Sequence, residues 1–219
     1  MRILLAGQKR FGRDTLALIM RLGHEVAAVA CPVLPEPDKL WIAADNARLP
    51  VIPSGTLNAG TLPTGVDLIV SAHSHDFIGR KTRNGTRLGA VGYHPSLLPN
   101  LRGRDAVRWA IKLRLPVTGG TIYWLDDNVD GGPIAAQEHC FVRPDDDASS
   151  LWSRELAPLG LRLFERVLNE LQAGTAARQP QDESLASWLP SLDGAPRLRR
   201  PDLPQIGSHG VTYRALTGG

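Results

Sequence analysis

The stretch MRILLAGQKRFGRDTLALIMRLGHEVAAVAC, residues 1–31, predicts a strand, a helix and a second strand in succession. Its two ends, RILLAG and EVAAVAC, are short apolar runs of the kind that form buried strands. Between them Leu16, Ile19 and Met20 recur at helical spacing and give the helix one apolar face. Because parallel strands need a crossover connection, usually a helix, this order predicts a β-α-β unit and the start of a parallel sheet.

The same alternation continues through the first half of the chain. LPVIPSG, residues 49–55, and VDLIVSAH, residues 66–73, are predicted as the third and fourth strands, and AVGY, residues 90–93, as the end of a fifth. KLWIAADNA, residues 39–47, is predicted as a short helix between two of them. This order favours an α/β fold with a mostly parallel sheet flanked by helices.

The second half begins with a predicted helix over residues 103–115. TGGTIYWL, residues 118–125, and PIAAQEHCFV, residues 133–142, have strand-type composition and a hairpin-like turn between them. The longest helix follows: DDDASS, residues 145–150, offers its N-cap, and Pro158 is expected to kink it early. Its apolar stripe consists of Leu156, Leu159, Leu163, Val167 and Leu171.

The composition changes near residue 174, which predicts two parts of the chain. We assign residues 1–174 to one domain and residues 175–219 to a C-terminal extension. The extension is rich in Gln, Arg, Pro and Ser, and its clear apolar residues are Leu185, Trp188 and Leu189. Because it has little apolar surface to bury, we expect it to pack loosely over the domain and to be partly disordered.

Composition and charge narrow the class of protein. The chain has 219 residues, a net charge of +3 and a pI of about 9.1, which suits slightly anionic ligands but gives no reason to expect a nucleic-acid partner. Cys31 and Cys140 stand far apart, so we expect free thiols in a reducing compartment. MRILLAG is too short for a signal peptide, and no apolar run of about 18 residues occurs. We therefore expect a cytoplasmic protein without a membrane partner, and a homodimer stays open.

AGQKRFG, residues 6–12, is a Gly-rich turn after the first strand and raises the question of a nucleotide site. It contains Gly7 and Gly12 but not the full G-x-G-x-x-G pattern, and no Gly-Lys-Ser/Thr follows. A tight β-to-α turn is therefore favoured over a nucleotide site.

SAHSHDF, residues 71–77, carries His73, His75 and Asp76, a spacing that resembles the start of a metal-hydrolase cluster. A zinc site needs three or four ligands, and the residues that could complete one are His94, His139 and Asp130. We favour a different role for the segment, which is to line a pocket at the carboxyl end of the fourth strand.

The stretch VGYHPSLLPNLRG, residues 91–103, presents His94 just past a strand end, in a loop that two prolines keep from forming a regular helix. The later turn DDNVDGGPI carries Asp126, Asp127 and Asp130. A histidine that moves a proton near neutral pH works best with a carboxylate beside it. By spacing alone, however, a single histidine and a turn aspartate are usually structural.

These segments resemble a known family. HPSLLPNLRG, a helix, VTGGTIYWLDDNVDGGPIAAQ and a long leucine-striped helix are together similar to the folate-dependent formyltransferases, which include glycinamide ribonucleotide, methionyl-tRNA and sugar-nucleotide formyltransferases. The likeness runs from about residue 1 to residue 174 and is most specific over residues 88–137. It implies a Rossmann-like formyltransferase fold and transfer of a formyl group from 10-formyltetrahydrofolate to an amine. The resemblance implies no metal.

The resemblance also assigns residues. The family's catalytic histidine and aspartate correspond to His94 and Asp130, and the serine of the histidine motif is Ser96, which we expect to shape the loop. The folate pocket of the family is built by the loop after the fourth strand and by the turn before the aspartate. In this chain those segments contain Ser74, His75, Asp76, Phe77, Ile78, Asp126, Asp127, Asn128, Val129 and Gly131.

The chain departs from the family at Gly92, where the motif has asparagine two residues before the histidine. That amide helps to hold the formyl oxygen as it becomes an oxyanion, and losing such a donor costs on the order of 10²–10³ in rate. Glycine is expected to leave space there, which a water, a backbone N–H, His73 or His75 could fill. A 10-formyltetrahydrofolate hydrolase and a catalytically degenerate folate-binding protein are therefore alternatives to the transferase.

The acceptor is expected to be a small amine, such as an amino sugar nucleotide or a modified amino acid. GQKRFG does not reproduce the Gly-Ser-Asn phosphate loop of the glycinamide ribonucleotide enzymes, and the chain is not expected to hold the C-terminal β-domain of the tRNA enzymes. PRLRRPDLPQ, residues 196–205, faintly resembles the Arg-rich segment that follows the catalytic domain in sugar-nucleotide and tRNA members. Its arginines could meet a phosphate, and a solvated tail is the alternative.

Overall fold

The computed structural model describes residues 1–33, residues 36–192 and the backbone of residues 212–213. The strands are β1 (Arg2–Gly7), β2 (Glu25–Cys31), β3 (Val51–Pro53), β4 (Leu68–Ala72), β5 (Gly89–His94), β6 (Val117–Trp124), β7 (Ile134–Phe141), β8 (Ser187–Trp188) and β9 (Thr212–Tyr213). The helices are α1 (Lys9–Arg21), α2 (Lys39–Asn46), α3 (Arg80–Asn84), α4 (Ala106–Lys112), α5 (Ala148–Leu151) and α6 (Ala157–Ala173). A π-helical turn, Trp152–Leu156, joins α5 to α6, and a 3-10 turn, Glu183–Leu185, precedes β8.

Within the described residues, seven strands form one sheet in the order β3-β2-β1-β4-β5-β6-β7. The strands from β1 to β5 are parallel to one another, whereas β6 is antiparallel to β5 and β7 is antiparallel to β6. The predicted Rossmann-like, mostly parallel sheet is therefore confirmed, and so is the β6–β7 hairpin. The strand order reverses between β1 and β4, and α/β proteins bind their ligands at the carboxyl ends of strands near such a point.

The two faces of the sheet are covered differently. Ile3 and Leu5 of β1 point into a large core formed with α1 and α6, whereas Leu4 and Ala6 point into a smaller core on the opposite face. This alternation follows from the period of two in a strand. The smaller core is closed mainly by residues from loops, among them Ile78. On the face of the smaller core, loops and not helices therefore lie beside the carboxyl ends of β4 and β5.

The first turn of the chain is held by a carboxylate from the loop before α2. The backbone N–H of Lys9 donates to both oxygens of Asp38, at 2.8 and 2.9 Å, and the backbone N–H of Leu40 donates to the same group. Asp38 thus caps α2 while it also satisfies an amide at the start of α1. These contacts support the interpretation of residues 6–12 as a β-to-α turn.

The long helix predicted after residue 145 is divided by the π-helical turn. Asp147 provides the N-cap, accepting from the backbone N–H of Ser150 at 2.7 Å, which confirms the prediction that DDDASS caps this helix. Pro158 lies in the first turn of α6, where its missing N–H costs least. Leu156, Leu159, Leu163 and Val167 are buried as predicted, and Leu171 is partly buried.

One strand boundary predicted from the sequence was wrong, and one helix was missed. His94 is the last residue of β5 and pairs with Thr121 of β6, so it belongs to the sheet and not to the loop beyond it. Helix α3 was missed because RKTRN is short and has no apolar stripe from which helical spacing could be recognised.

The described part of the extension, residues 175–192, packs on the loops that follow β5 and β6. Leu189 is buried, Trp188 is partly buried and Leu185 is 52% exposed, so Leu185 does not contribute to the apolar anchor as predicted. The boundary at residue 174 stays a prediction. The predicted disordered end and PRLRRPDLPQ lie outside the described residues.

None of the helices in the part of the chain that the structure describes is long and apolar enough to cross a bilayer.

Candidate active site

His94 lies at the carboxyl end of β5 with only 6% of its surface exposed. Its Nε2 donates to the carbonyl oxygen of Leu101 at 2.7 Å, and its Nδ1 faces the carboxylate of Asp130 at 3.6 Å. Nε2 must carry the hydrogen for the first contact, since a carbonyl oxygen only accepts. The ring is thereby fixed, with Nδ1 as the nitrogen directed at the aspartate.

The loop after His94 is held against β6. The hydroxyl of the fully buried Ser96 donates to the carbonyl oxygen of Asn100 at 2.5 Å, and its own carbonyl accepts from Thr121 Oγ1 at 2.7 Å. Gln137 of β7 donates from Nε2 to Leu98 O at 2.9 Å. Ser96 therefore shapes the loop, and the loop in turn carries the Leu101 carbonyl to His94.

Asp130 is built into the turn after β6 in a strained conformation. Its φ angle is 51°, in the left-handed region that non-glycine residues seldom adopt. The carboxylate accepts from Tyr123 OH at 2.6 Å through Oδ1 and from the backbone N–H of Gly103 at 2.8 Å through Oδ2. Gly132 makes this turn possible, because a Cβ there would lie 1.8 Å from Trp124 O.

Tyr123 is a residue of the site that the sequence did not predict. Desolvation by burial, with the charge of Asp130 adding to it, raises the pKa of Tyr123 well above its ordinary value. The phenol is therefore held as a hydrogen-bond donor to Asp130 at neutral pH. The sequence placed Tyr123 in a predicted strand, which was the available signal. The strand register that sets Tyr123 opposite Gly92 is visible only in the folded sheet.

The two segments predicted to bind folate are connected by an arginine that the sequence did not single out. Arg83 of α3 is 7% exposed; it donates to Ile78 O at 2.5 Å and to Asp127 Oδ1 at 2.7 Å. Arg80 also pairs with Asp127. Burial lowers the pKa of Arg83, and the Arg80 charge acts in the same direction, whereas Asp126 opposes it.

Several predicted folate-binding residues are engaged with backbone or side-chain groups of their own or a neighbouring loop. Asp76 accepts from the backbone N–H of Gly55 at 2.6 Å, and the backbone N–H of Asp76 donates to Ser74 Oγ at 3.0 Å. Asp126 accepts from the backbone N–H of Asn128 at 2.8 Å. His75 and Asn128 are exposed, Phe77 is 55% exposed, Val129 and Gly131 are partly buried, and Ile78 is buried in the smaller core.

A cavity of about 390 Å³ lies at the amino end of β5, and none of the ten predicted folate-binding residues is among those that line it. Its lining includes Arg83, Ala90 of β5, Leu125 and Arg178. Arg83 and Leu125 connect it to the two segments, since Arg83 contacts both and Leu125 directly precedes Asp126.

The expectation that Gly92 leaves open space beside His94 is wrong. A Cβ at this position would lie 2.9 Å from Leu125 Cδ1, 3.4 Å from Tyr123 Cε1 and 3.6 Å from Ser71 Cβ. The nearest atoms therefore belong to these three side chains and not to His73 or His75. The position that a Cβ of residue 92 would take is therefore bordered by hydrocarbon, and Leu125 lies nearest to it.

His73 and His75 form a separate cluster at the end of β4. Their ring centroids are 5.9 Å apart, and the His73 ring lies 5.8 Å from that of Trp152. Burial, followed by the charge of Lys9, lowers the pKa of His73 to about 4, and burial also lowers the pKa of His75. Over residues 1–33 and 36–192, no three His, Cys, Asp or Glu side chains come together in a group that could hold a metal ion. His139, offered above as a further ligand, packs instead against Phe141 on β7.

Comparisons with known proteins agree with the geometry. The family model described as Formyl transferase matches residues 56–167. Cytosolic 10-formyltetrahydrofolate dehydrogenase of Mus musculus is 33% identical over 202 residues, covering 86% of this chain and 22% of the mouse protein. Methionyl-tRNA formyltransferase of Syntrophus aciditrophicus is 31% identical over 207 residues, covering 87% of this chain and 65% of that protein. The chain thus spans about a fifth of the length of the mouse dehydrogenase.

A similar fold is present among solved structures. An N-formyltransferase from Helicobacter canadensis, in complex with folinic acid and dTDP-3-aminofucose, superposes with a TM-score of 0.71 at 18% sequence identity. The match covers 85% of this chain and 70% of that one. At this identity the match shows that the fold is shared.

Proposed function

The chain belongs to the formyl transferase family, and on this premise we propose that it transfers the formyl group of 10-formyltetrahydrofolate to the amine of a small acceptor. The observation that carries the proposal is the buried pair of His94 and Asp130, 3.6 Å apart at the carboxyl end of β5. A buried histidine oriented by a carboxylate is suited to general acid–base work. Burial also strengthens the electrostatic interactions that it makes.

In the proposed reaction the acceptor amine attacks the formyl carbon, and the new C–N bond forms as negative charge develops on the formyl oxygen. Nε2 of His94 is held by the Leu101 carbonyl, so the proton moves through Nδ1: this nitrogen takes the proton lost by the amine, and the resulting Nδ1–H stabilises the oxygen or passes the proton to the folate nitrogen as its bond to the formyl carbon breaks. Asp130 holds the imidazole in place and balances its positive charge. Tyr123 and Gly103 keep the carboxylate directed at Nδ1 by occupying its two oxygens.

We place the donor against the two loop segments joined by Arg83. Their residues are Ser74, His75, Asp76, Phe77, Ile78, Asp126, Asp127, Asn128, Val129 and Gly131, and the adjoining cavity has a volume of about 390 Å³. The lining is mainly polar, and its arginines, Arg83, Arg87 and Arg178, can donate hydrogen bonds to the polar edge of a heteroaromatic ring. No step assigned to these residues requires a metal ion.

Hydrolysis of the same donor is the second candidate, with water in place of the amine. The similarity to 10-formyltetrahydrofolate dehydrogenase supports it. The hydrocarbon next to Gly92 does not distinguish the two candidates, because attack by water and attack by an amine develop the same oxyanion and lack the same donor. Both candidates assign the same role to His94.

We propose a cytoplasmic location, because Cys31 and Cys140 are both unpaired and buried. Burial raises the pKa of Cys31 to about 12 and that of Cys140 to about 11, so neither thiol is a reactive thiolate at neutral pH. The homodimer is left as a prediction.

The first test is a calorimetric titration with 5-formyltetrahydrofolate, a stable analogue of the donor. Micromolar binding is expected, and absence of binding would overturn both candidates. The second step measures release of tetrahydrofolate from 10-formyltetrahydrofolate with and without a panel of amines. Release that depends on an amine supports the transferase, amine-independent release supports the hydrolase, and binding without release indicates a degenerate folate-binding protein.

A further inference from the structure

Gln181, in the extension, contacts the loop that follows His94 and the turn that carries Asp130. Its Nε2 donates to the carbonyl oxygens of Asp130 at 2.8 Å and Gly132 at 2.6 Å. Its Oε1 accepts from Arg102 through Nε at 3.1 Å and through a terminal nitrogen at 2.7 Å. One amide therefore spans the loop after β5 and the turn after β6, and it lies outside the segment that the family model matches.

Arg102 sits between the two residues that contact the catalytic pair. The preceding residue, Leu101, accepts from His94 Nε2 at 2.7 Å, and the following residue, Gly103, donates its backbone N–H to Asp130 at 2.8 Å. Because these three residues are consecutive, a shift of Arg102 moves both contacts. The position of Arg102 consequently sets how the imidazole and the carboxylate face each other.

The Arg102 side chain is only 3% exposed, and a guanidinium in such a place is stabilised only if it is paired. The extension supplies its partners: Gln181 and Glu183, the second of which accepts at 2.6 and 2.9 Å. Backbone contacts reinforce them, since the Arg102 N–H donates to Ser187 O at 2.9 Å and Ser187 N–H donates to Pro99 O at 3.1 Å. Several residues of the extension thus bind the loop that follows His94.

We propose that Gln181 is a positioning residue for the reaction: by joining Arg102 to the Asp130 turn, it fixes the distance between His94 and Asp130. This inference rests on the proposed function of the pair. The two ends of the amide bind different segments: Oε1 binds Arg102 in the loop after β5, and Nε2 binds the turn that carries Asp130. Gln181 acts only through other residues and contacts neither His94 nor the Asp130 carboxylate.

Gln181→Glu tests the link with little change of volume. The substitution keeps an acceptor for Arg102, so the loop stays attached to the extension, but it replaces the donor to Asp130 and Gly132 by an oxygen. Gln181→Met removes both ends of the link in a side chain of similar length. Gln179→Ala is the matched control, because Gln179 lies in the same segment and is exposed.

Turnover of 10-formyltetrahydrofolate is measured for each variant with the acceptor, amine or water, on which the unmodified protein acts. Gln181→Glu and Gln181→Met are expected to lower kcat on the order of 10- to 100-fold, as a small misplacement of catalytic groups does, with KM for the donor within about threefold. Gln179→Ala is expected to keep both constants. A stabilising role without positioning would lower Tm and leave kcat unchanged below the transition, and that result would overturn the proposal.

A second readout needs no turnover. The imidazole ¹⁵N signals of His94, assigned by their loss in His94→Gln, are followed through a pH titration. The titration midpoint is expected to differ between Gln181→Met, which adds no charge, and the unmodified protein, and to be the same in Gln179→Ala. An unchanged His94 titration in Gln181→Met would overturn the positioning role even if the protein turns over no donor. Absence of turnover in the unmodified protein bears on the proposed function alone.

Discussion

Two histidine sites lie at the ends of neighbouring strands, His73 and His75 after β4 and His94 at the end of β5, and they differ in their partners. His94 has a carbonyl acceptor on one nitrogen and a carboxylate opposite the other. His73 packs against the rings of His75 and Trp152, and burial is the main influence on its pKa. A candidate site for proton transfer is therefore better recognised by the hydrogen-bond acceptor and carboxylate that hold an imidazole in place than by the number of histidines that lie together.

The largest difference in turnover is expected between two separate variants, one at each histidine site. His94→Ala removes the general acid–base group and is expected to lower turnover of 10-formyltetrahydrofolate by about 10²–10⁴-fold, with affinity for 5-formyltetrahydrofolate within a few-fold. His73→Gln is expected to keep turnover within about tenfold, since His73 is not assigned to the chemistry. Steady-state kinetics and calorimetry measure both quantities. Retained turnover in His94→Ala would remove His94 from the mechanism and erase the difference between the sites.

A smaller effect is expected at Gly92, on the strand that carries His94. Gly92→Asn restores the family residue but places its Cβ 2.9 Å from Leu125 Cδ1, so overpacking is expected to cost about 1–3 kcal/mol of stability. In a chain of this size that corresponds to a fall in Tm of about 2–12 °C, measurable by thermal denaturation. Turnover is expected to rise only when the asparagine is given room.

The double variant Gly92→Asn/Leu125→Ala provides that room, and Leu125→Ala alone is its control. Turnover of the double variant is expected to exceed that of the control, because the asparagine amide can then approach the developing oxyanion. An unchanged Tm with raised turnover in Gly92→Asn alone would show that Leu125 does not obstruct the position.

The smallest effect concerns stability at acid pH. The folded-state pKa of His73 is about 4, below its ordinary value of 6.5, so the unfolded chain binds more protons between these values. Stability is therefore expected to fall as pH drops from about 6.5 towards 4. His73→Gln is expected to reduce the slope of Tm against pH in this window, measured by thermal denaturation at several pH values. An unaltered slope would mean that burial of His73 does not destabilise its charged form.

The order of the elements and the candidate catalytic pair were accessible from the sequence. The apolar runs of β1, β2 and β4 are local patterns, as is the stripe of α6, and the fold preserves them. His94 and Asp130 were assigned through resemblance, and the structure places them 3.6 Å apart. Helix α3 was missed because its polar residues carry no periodic signal, although Arg83 within it joins the two loops.

The sequence by itself thus determined a mostly parallel α/β sheet and the family of the chain, because short-range periodicity and contiguous motifs encode both. The tertiary structure alone decided what surrounds the pair: Tyr123 on the Asp130 carboxylate, Leu125 in the space beside Gly92 and Gln181 between the two loops. Each of these contacts depends on strand register or on the path of a loop returning to the sheet. Such contacts form between residues distant in the chain, and no local pattern records which side chains will meet.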